Sequence, residues 1–117
     1  MVKLAKINLN YKSKIIGISN LSQKLKRFSY KKIGFTNGCF DILHKGHFNL
    51  FKFCKKKCDI LIVAVNSNIS VKKIKGEKRP YNNLRFRLIS LSRIKEIDYI
   101  VYFHKLDSME LIKKIKP

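Results

Sequence analysis

The chain has 117 residues, and its 27 lysine and arginine residues against seven acidic ones give it a formal net charge of +20. This length accommodates one domain with a single modest core, and no apolar run is long enough to cross a membrane. Five of the basic residues are arginines and the other 22 are lysines scattered along the chain, whereas nucleic-acid binders favour arginine and interleave aromatic residues. We therefore predict neither a specific nucleic-acid partner nor a membrane partner.

Three cysteines, an odd number, and the lack of a secretory signal pattern in the opening residues indicate free thiols in a reducing compartment. We therefore expect a cytoplasmic protein. Residues 1–19 are basic without a continuous apolar core, and we predict that they form a lead-in segment that is poorly ordered or weakly docked. Residues 20–117 are then a single domain.

Sequence patterns typical of helices and of strands alternate along this domain. This alternation predicts an α/β fold with a Rossmann-like, three-layer, doubly wound parallel sheet. The predicted helices cover residues 21–28, 45–57, 84–97 and 109–115, and residues 70–80 are predicted to be a loop or an irregular short helix. The predicted strands cover residues 32–36, 59–65 and 98–103. The expected caps of the first, third and fourth helices are Ser19 or Asn20, Asn82 or Asn83, and Asp107 or Ser108.

The densest cluster of polar residues lies between the first predicted strand and the next helix, in the segment TNGCFDILHKGH at residues 36–47. A helix N-terminus offers unpaired N–H groups and a partial positive charge, which together favour an anion. His44 and His47 at this terminus can donate hydrogen bonds to phosphate oxygens, and Gly38 and Gly46 let the backbone approach a ligand closely. Because ligands of such sheets bind at the carboxyl ends of the strands, the segment predicts a site for a phosphate group in transfer.

The spacing of His44 and His47 does not by itself select phosphate chemistry. The same spacing could hold zinc, although a zinc site needs three or four ligands. The remaining histidine is His104, and Cys54 and Cys58 are helix neighbours separated by lysines. One buried and one surface histidine is a further interpretation, so the residues alone leave these alternatives open.

The HxGH tetrad, which is His44-Lys45-Gly46-His47 in this chain, resembles the signature of the cytidylyltransferase-like nucleotidyltransferases. The longer string TNGCFDILHKGH is similar to that of one branch, the D-glycero-β-D-manno-heptose 1-phosphate adenylyltransferases. Further matches follow in the same order, with LIVAVNSN at residues 61–68, SVKKIKGEKRPYN at residues 70–82 and Arg87 ahead of an apolar helix. The resemblance covers most of the chain from about residue 21 onwards.

This resemblance implies an enzyme that transfers AMP from ATP to D-glycero-β-D-manno-heptose 1-phosphate, releasing pyrophosphate and forming ADP-heptose, with Mg²⁺ accompanying the ATP. It implies that His44 and His47 contact the phosphates of the transition state and that Lys45 is an auxiliary cation. No residue is assigned as a metal ligand. The implied nucleotide-binding residues are Thr36, Asn37, Gly38, Cys39, Phe40, Asp41, Gly46, Asn66, Arg79 and Arg87.

Two of these residues allow more than one interpretation. Arg87 lies beside an apolar stripe, where a charge is costly unless it is paired, so we expect a phosphate ligand or a structural salt bridge and favour the ligand. Asp41 is expected either to touch metal or ribose, or to brace its loop by accepting hydrogen bonds from backbone N–H groups.

Two other functions stay open at this point. One is a cytidylyltransferase that acts on glycerol 3-phosphate or a similar alcohol phosphate, and the other is a non-catalytic nucleotide-binding or assembly subunit. Compared with the family, the chain stops short of a last strand and a final helix. We therefore expect the first strand to be an open edge of the sheet. Three explanations stay open: the chain is a shortened product, a second copy or a partner chain covers the edge, or the fold tolerates it.

Overall fold

The computed structural model of the chain describes residues 11–105 and 108–117. Within these residues helices and strands alternate as predicted, after a short 3-10 helix at Tyr11–Lys14. The strands are β1 (Ile33–Gly38), β2 (Ile60–Asn66) and β3 (Tyr99–Phe103). The α-helices are α1 (Ile18–Lys26), α2 (Lys45–Lys57), α3 (Asn68–Lys75), α4 (Leu84–Ser92) and α5 (Met109–Ile115).

The strands form one parallel sheet in the order β1-β2-β3. Its register pairs Gly38 with Val65 and Asn66 with Phe103, so the carboxyl ends of the strands lie together at one edge. All seven residues of the central strand β2 are buried, which explains why its sequence is a continuous apolar run rather than an alternating one. The predicted site residues lie in the last residues of β1 and β2 and in the loops and helices that follow this edge.

The side chains of β2 alternate between two hydrophobic cores, one on each face of the sheet. On the first face, Phe51 of α2 and Leu88 of α4 share a core with Leu61. On the second face, Leu21 of α1 shares a core with Ile62, and α5 contributes Leu111 and Ile115. Helices therefore enclose the sheet on both sides, which confirms the predicted three-layer, doubly wound, Rossmann-like fold.

The bounds of α2 and α5 are those predicted, whereas those of β1 and α1 were predicted wrongly. β1 continues to Gly38 because Asn37 and Gly38 still pair with β2. α1 begins at Ile18 after Gly17, not after Ser19 or Asn20, and no side chain caps it. Ile18 is partly buried against the second core, so apolar packing rather than side-chain capping stabilises the start of α1.

The predicted helix at residues 84–97 is shorter in the structure. Residues 70–80, predicted to be a loop or an irregular short helix, overlap the regular helix α3, which begins before them at Asn68. Asn83 caps α4 by accepting a hydrogen bond from the N–H of Phe86, and α4 ends at Ser92. Turns at Ile94 and Ile97 then bury both side chains against the first core. In α3, the hydroxyl of Ser67 accepts a hydrogen bond from the N–H of Ser70. Ser108 precedes α5 without a side-chain capping bond, and Asp107 lies outside the described residues.

Part of the predicted lead-in segment is docked on the edge of β3. Ile15 forms a parallel bridge with Ile100, and the N–H of Ile16 donates to the Ile100 carbonyl at 3.0 Å. The ammonium of Lys14 donates to the carbonyl of Ile94 at 2.9 Å. Residues 1–10 of the same segment lie outside the described residues.

Within residues 11–105 and 108–117, β1 pairs with β2 on one side and with no strand on the other. That a second copy or a partner chain covers this edge stays a prediction. None of the helices in the described part of the chain is both long and apolar enough to cross a membrane.

We predict that Gly34→Ala destabilises the fold because β1 passes very close to the end of α2. A Cβ on Gly34 would lie 2.7 Å from the Sγ and 3.1 Å from the Cβ of Cys58. Such overpacking lowers the free energy of unfolding by about 1–3 kcal/mol, which urea unfolding would measure.

Gly17→Ala is the matched control, because nothing lies within 4 Å of a Cβ at that position. Combining Gly34→Ala with Cys58→Ala removes the nearer of the two contacts and should recover part of the loss. Equal effects of Gly34→Ala and Gly17→Ala would contradict this account of the packing.

Candidate active site

The loop after β1 is held by the buried ring of Phe40. Phe40 has a φ of 48°, an uncommon backbone conformation for a bulky residue. Its ring packs against Phe51 of α2 and edge-on against His47, with centroid distances of 5.5 and 5.4 Å. Gly38 lies under the same ring. The predicted loop residues Gly38 and Phe40 are therefore part of a small packed unit that supports His47.

His44 and His47 form the N-terminal cap of α2. The Nδ1 of His44 accepts a hydrogen bond from the N–H of Gly46 at 3.1 Å, and the Nδ1 of His47 accepts one from the N–H of His44 at 3.2 Å. Since a neutral imidazole has one donor and one acceptor nitrogen, the neutral form of each ring carries its proton on Nε2. The two rings lie together with centroids 3.9 Å apart. Helix capping thus determines which nitrogen each histidine can offer to a ligand.

Gly46 permits this arrangement. A Cβ at Gly46 would lie 2.8 Å from the Cε1 and 3.0 Å from the Nδ1 of His44. Any larger residue would therefore push the His44 ring away from the helix end. The structure supplies a packing reason for this glycine in addition to the predicted approach of a ligand.

The environment of His47 favours its neutral form. Burial lowers the pKa of His47 below its ordinary value of 6.5, and the positive charge of a protonated His44 lowers the pKa further. Near neutral pH His47 is therefore an uncharged imidazole with an N–H donor at Nε2. Such a donor can bind a phosphate oxygen without carrying a permanent charge.

Asp41 braces the loop, which is one of the two roles expected for it. Its Oδ2 accepts hydrogen bonds from the Nε of Arg79 at 2.9 Å and the N–H of Tyr81 at 2.7 Å, and its Oδ1 accepts one from the N–H of Asn82 at 2.8 Å. The side-chain amide of Asn82 donates in return to the backbone carbonyl of Asp41. Burial raises the pKa of this carboxyl, but the hydrogen bonds from Tyr81, Asn82 and Arg79 lower it more, so the net pKa lies below 3.8. Both oxygens are thus engaged within the protein.

Arg79 lies at the rim of this network. Its Nε pairs with Asp41, and its guanidinium stacks over the ring of Tyr81 at 4.4 Å. Lys45 is exposed in the first turn of α2. Both residues are cations next to the loop, and their contacts with phosphates stay predictions.

Arg87 is almost fully buried, with 1% of its surface exposed. Its Nε donates to the carbonyl of Asn82 at 3.0 Å, and one terminal nitrogen donates to the carbonyls of Cys39 at 2.9 Å and Asn66 at 2.7 Å. The other terminal nitrogen donates to the Oδ1 of Asn68 at 2.8 Å. Of the two roles considered for Arg87, the less favoured structural salt bridge does not form, because no carboxylate among the described residues lies within ion-pair distance of it; the favoured role as a phosphate ligand stays a prediction. The partners are neutral oxygens, mostly of the backbone.

Asn66 ends β2 beside the loop of β1. Its Oδ1 faces the Cys39 thiol at 3.9 Å, and its buried Nδ2 has no hydrogen-bond partner among the residues that the structure describes. An unpaired buried donor is costly. The predicted nucleotide-binding role of Asn66 and Cys39 stays a prediction, and the structure brings both residues to the same place.

Asn37 is the predicted residue that lies apart from this group. Side chains alternate along β1, and a Cβ at Gly34 would meet Cys58 and Leu61, so Gly34, Thr36 and Gly38 face α2. Asn37 therefore faces the other side of the sheet, where it is exposed.

The sequence did not predict that Asn68 and Asn82 form hydrogen bonds with Arg87 or that Asn82 forms hydrogen bonds with Asp41. Asn82 was considered only as a helix cap, although Asn83 caps α4 and Asn82 binds both Asp41 and Arg87. Two adjacent asparagines before a helix were the signal that one of them was available for another role.

We predict that Asp41→Asn lowers the free energy of unfolding by roughly 2–4 kcal/mol at pH 7, because an amide cannot accept all three hydrogen bonds and carries no charge for Arg79. The contribution of Asp41 is fully present above its unfolded pKa of 3.8 and is lost as the pH falls through its lower folded pKa. Urea unfolding between pH 7 and pH 3 would therefore show a difference that shrinks at the acid end.

Asp59→Asn is the matched control, since the exposed carboxylate of Asp59 accepts one backbone hydrogen bond, from Lys32. We expect it to cost less than about 1 kcal/mol. A loss in Asp41→Asn no larger than in this control would show that the loop does not depend on Asp41.

We also predict that the pKa of His47 lies below 6.5 and that the substitution His44→Asn raises the titration midpoint of His47. Asparagine can still cap α2, whereas the positive charge that a protonated His44 places beside His47 is lost. NMR titration of the imidazole protons would measure both midpoints. His104→Asn, at an exposed position, should leave the His47 midpoint unchanged, and a midpoint that does not respond to His44→Asn would refute the electrostatic coupling.

Several known proteins are similar to this chain in sequence. Residues 35–117 match the family described as cytidylyltransferase-like. The Bifunctional protein HldE of Helicobacter hepaticus is 46% identical over 105 residues, which are 90% of this chain and 22% of that protein. Its counterpart of the same name in Marinomonas sp. is 48% identical over 94 residues, which are 80% of this chain and 20% of that protein. The chain thus spans about a fifth of the length of the curated relatives it matches.

A solved structure shares the fold. The lipopolysaccharide core biosynthesis protein from Thermoplasma volcanium GSS1 is 32% identical, with a TM-score of 0.66 over 74% of this chain and 70% of the other. The family match extends from β1 through the histidine loop to α5. The chain therefore belongs to the cytidylyltransferase-like family of nucleotidyltransferases.

Proposed function

We propose that this domain transfers AMP from ATP to a sugar 1-phosphate, D-glycero-β-D-manno-heptose 1-phosphate, and so forms ADP-heptose and pyrophosphate in the cytoplasm. The observation that carries the proposal is the histidine pair at the start of α2, whose Nδ1 atoms accept backbone hydrogen bonds and whose Nε2–H groups are thereby donors. The motif string at residues 36–47 and the similarity to a lipopolysaccharide core biosynthesis protein support a heptose phosphate as the acceptor.

In this reaction an oxygen of the sugar phosphate attacks the α-phosphorus of ATP. The bond from that phosphorus to the oxygen shared with the β-phosphate breaks, and pyrophosphate leaves with the electron pair. Negative charge increases on the leaving oxygen and is spread over the α-phosphate oxygens in the transition state. His44 and His47 stabilise this charge by donating from Nε2, and the rest of the site holds the two substrates in line.

Magnesium fits this site as part of the substrate Mg·ATP. No group of three or more histidine, cysteine, aspartate or glutamate residues suited to a metal ion occurs in the described part of the chain. Asp41, the nearest carboxylate in the loop, already accepts three hydrogen bonds. We therefore propose that the triphosphate, not the protein, supplies the ligands of the ion, while Lys45 and Arg79 add positive charge near the phosphates.

We predict that His44→Asn lowers kcat for pyrophosphate release by about 100-fold or more, because the variant keeps the cap of α2 but loses one donor to the transition state. The assay uses the 117-residue chain with Mg·ATP or Mg·CTP and with the heptose 1-phosphate or glycerol 3-phosphate. The expected pair for the wild type is ATP with the heptose phosphate.

His104→Asn is the matched control and should retain full activity, because His104 lies after β3 and contacts Tyr102 rather than the loop. Unchanged turnover in His44→Asn would refute the proposed role of the histidine. Absence of turnover in a folded wild-type chain that still binds Mg·ATP would favour a non-catalytic nucleotide-binding subunit.

A further inference from the structure

We propose that Arg87 is a positioning residue, which fastens the loop of the histidine site to the rest of the sheet and does not itself contact a phosphate. This inference rests on the proposed function for its effect on turnover. Its structural part concerns only how the segment Cys39 to Asp41 is held, and it can be tested without any substrate.

The burial and the hydrogen bonds of Arg87 direct it toward the protein. With 1% of its surface exposed, its guanidinium has almost no surface on which a ligand could bind. Four of its hydrogen bonds go to oxygens of Cys39, Asn66, Asn68 and Asn82. The rigid fork of a guanidinium suits simultaneous contact with several fixed oxygens.

The four oxygens belong to different parts of the fold. Cys39 follows β1, Asn66 ends β2, Asn68 begins α3, and Asn82 lies just before α4. Three of the oxygens are backbone carbonyls, which move only when the chain itself moves. One side chain therefore fixes the relative positions of four segments at the carboxyl edge of the sheet.

The fixed segment leads directly to the histidines. Cys39 precedes Phe40, whose φ of 48° persists only where its neighbours determine it strongly. The ring of Phe40 in turn lies against His47. On the other side of Phe40, Asp41 is held by the backbone N–H groups of Tyr81 and Asn82. Arg87 and Asp41 thus hold the two ends of the short segment that supports His47.

Lysine cannot substitute for Arg87 in this role, although it keeps the charge. An ammonium is a compact group with three donors and no planar fork, so it cannot reach four oxygens on different segments. Arg87→Lys therefore separates the charge of Arg87 from its geometry. If Arg87 acted as a phosphate ligand through its charge, lysine should replace it in part.

The substrate-free test measures how fast N-ethylmaleimide, a neutral reagent, labels each cysteine, with mass spectrometry to resolve the sites. Cys39, Cys54 and Cys58 are all partly buried free thiols, so the two in α2 and at its end serve as internal controls. In Arg87→Lys we expect labelling of Cys39 to accelerate about tenfold while the other two stay within about twofold, because only the loop is released. Arg85→Gln, an exposed arginine on the same helix, should change none of the rates.

The second test compares kinetic constants of Arg87→Lys with those of the wild type. Positioning predicts that kcat falls about tenfold while KM for ATP and for the sugar phosphate changes less than about threefold. A rise in either KM with kcat unchanged would make Arg87 a ligand contact and would overturn the proposal. Wild-type labelling of Cys39 in Arg87→Lys, or equal acceleration at all three cysteines, would overturn it as well, whether or not the chain shows the proposed activity.

Discussion

The buried positive charge of Arg87 is the constraint on which the site depends. A buried cation is stable only when fixed polar groups compensate it, and here the compensating oxygens include the backbone carbonyls of Cys39 and Asn66. Those carbonyls lie at the ends of two neighbouring strands. The sheet register already places the ends of β1 and β2 side by side, and the guanidinium links the backbone at these ends, next to the segment that leads to the histidines.

The histidine site combines helix capping with the preparation of hydrogen-bond donors. Backbone N–H groups at a helix start need acceptors, and here the Nδ1 atoms of His44 and His47 supply them. The same two bonds place the protons of both rings on Nε2. Gly46 is required because the His44 ring lies against its Cα position. The stability of the helix end and the availability of the Nε2–H donors for a phosphate thus depend on the same two rings. A substitution that keeps the cap but removes the donor therefore distinguishes the structural role of a histidine from its role in binding.

The sequence by itself determined the elements whose cause is local. The continuous apolar run of β2 predicted a strand covered on both faces, and β2 is the central strand of the sheet. The bounds of α2 were predicted because its apolar residues recur at helical spacing between His44 and a lysine-rich end. The motif around the histidines indicated where the site lies, since its glycines, histidines and position after a strand are visible in one short segment.

Only the tertiary structure decided the elements whose cause is remote in sequence. Arg87 meets Cys39, which is 48 positions away, so no local pattern could show that its partners are carbonyl oxygens rather than a carboxylate. α1 begins where Ile18 packs against the second core. Asn82 does not cap the helix that follows it; its N–H instead donates a hydrogen bond to Asp41, which lies 41 positions earlier in the sequence. Chemistry and secondary structure were determined by neighbours along the chain, whereas the role of each polar side chain was decided by partners that only folding brings within hydrogen-bond distance.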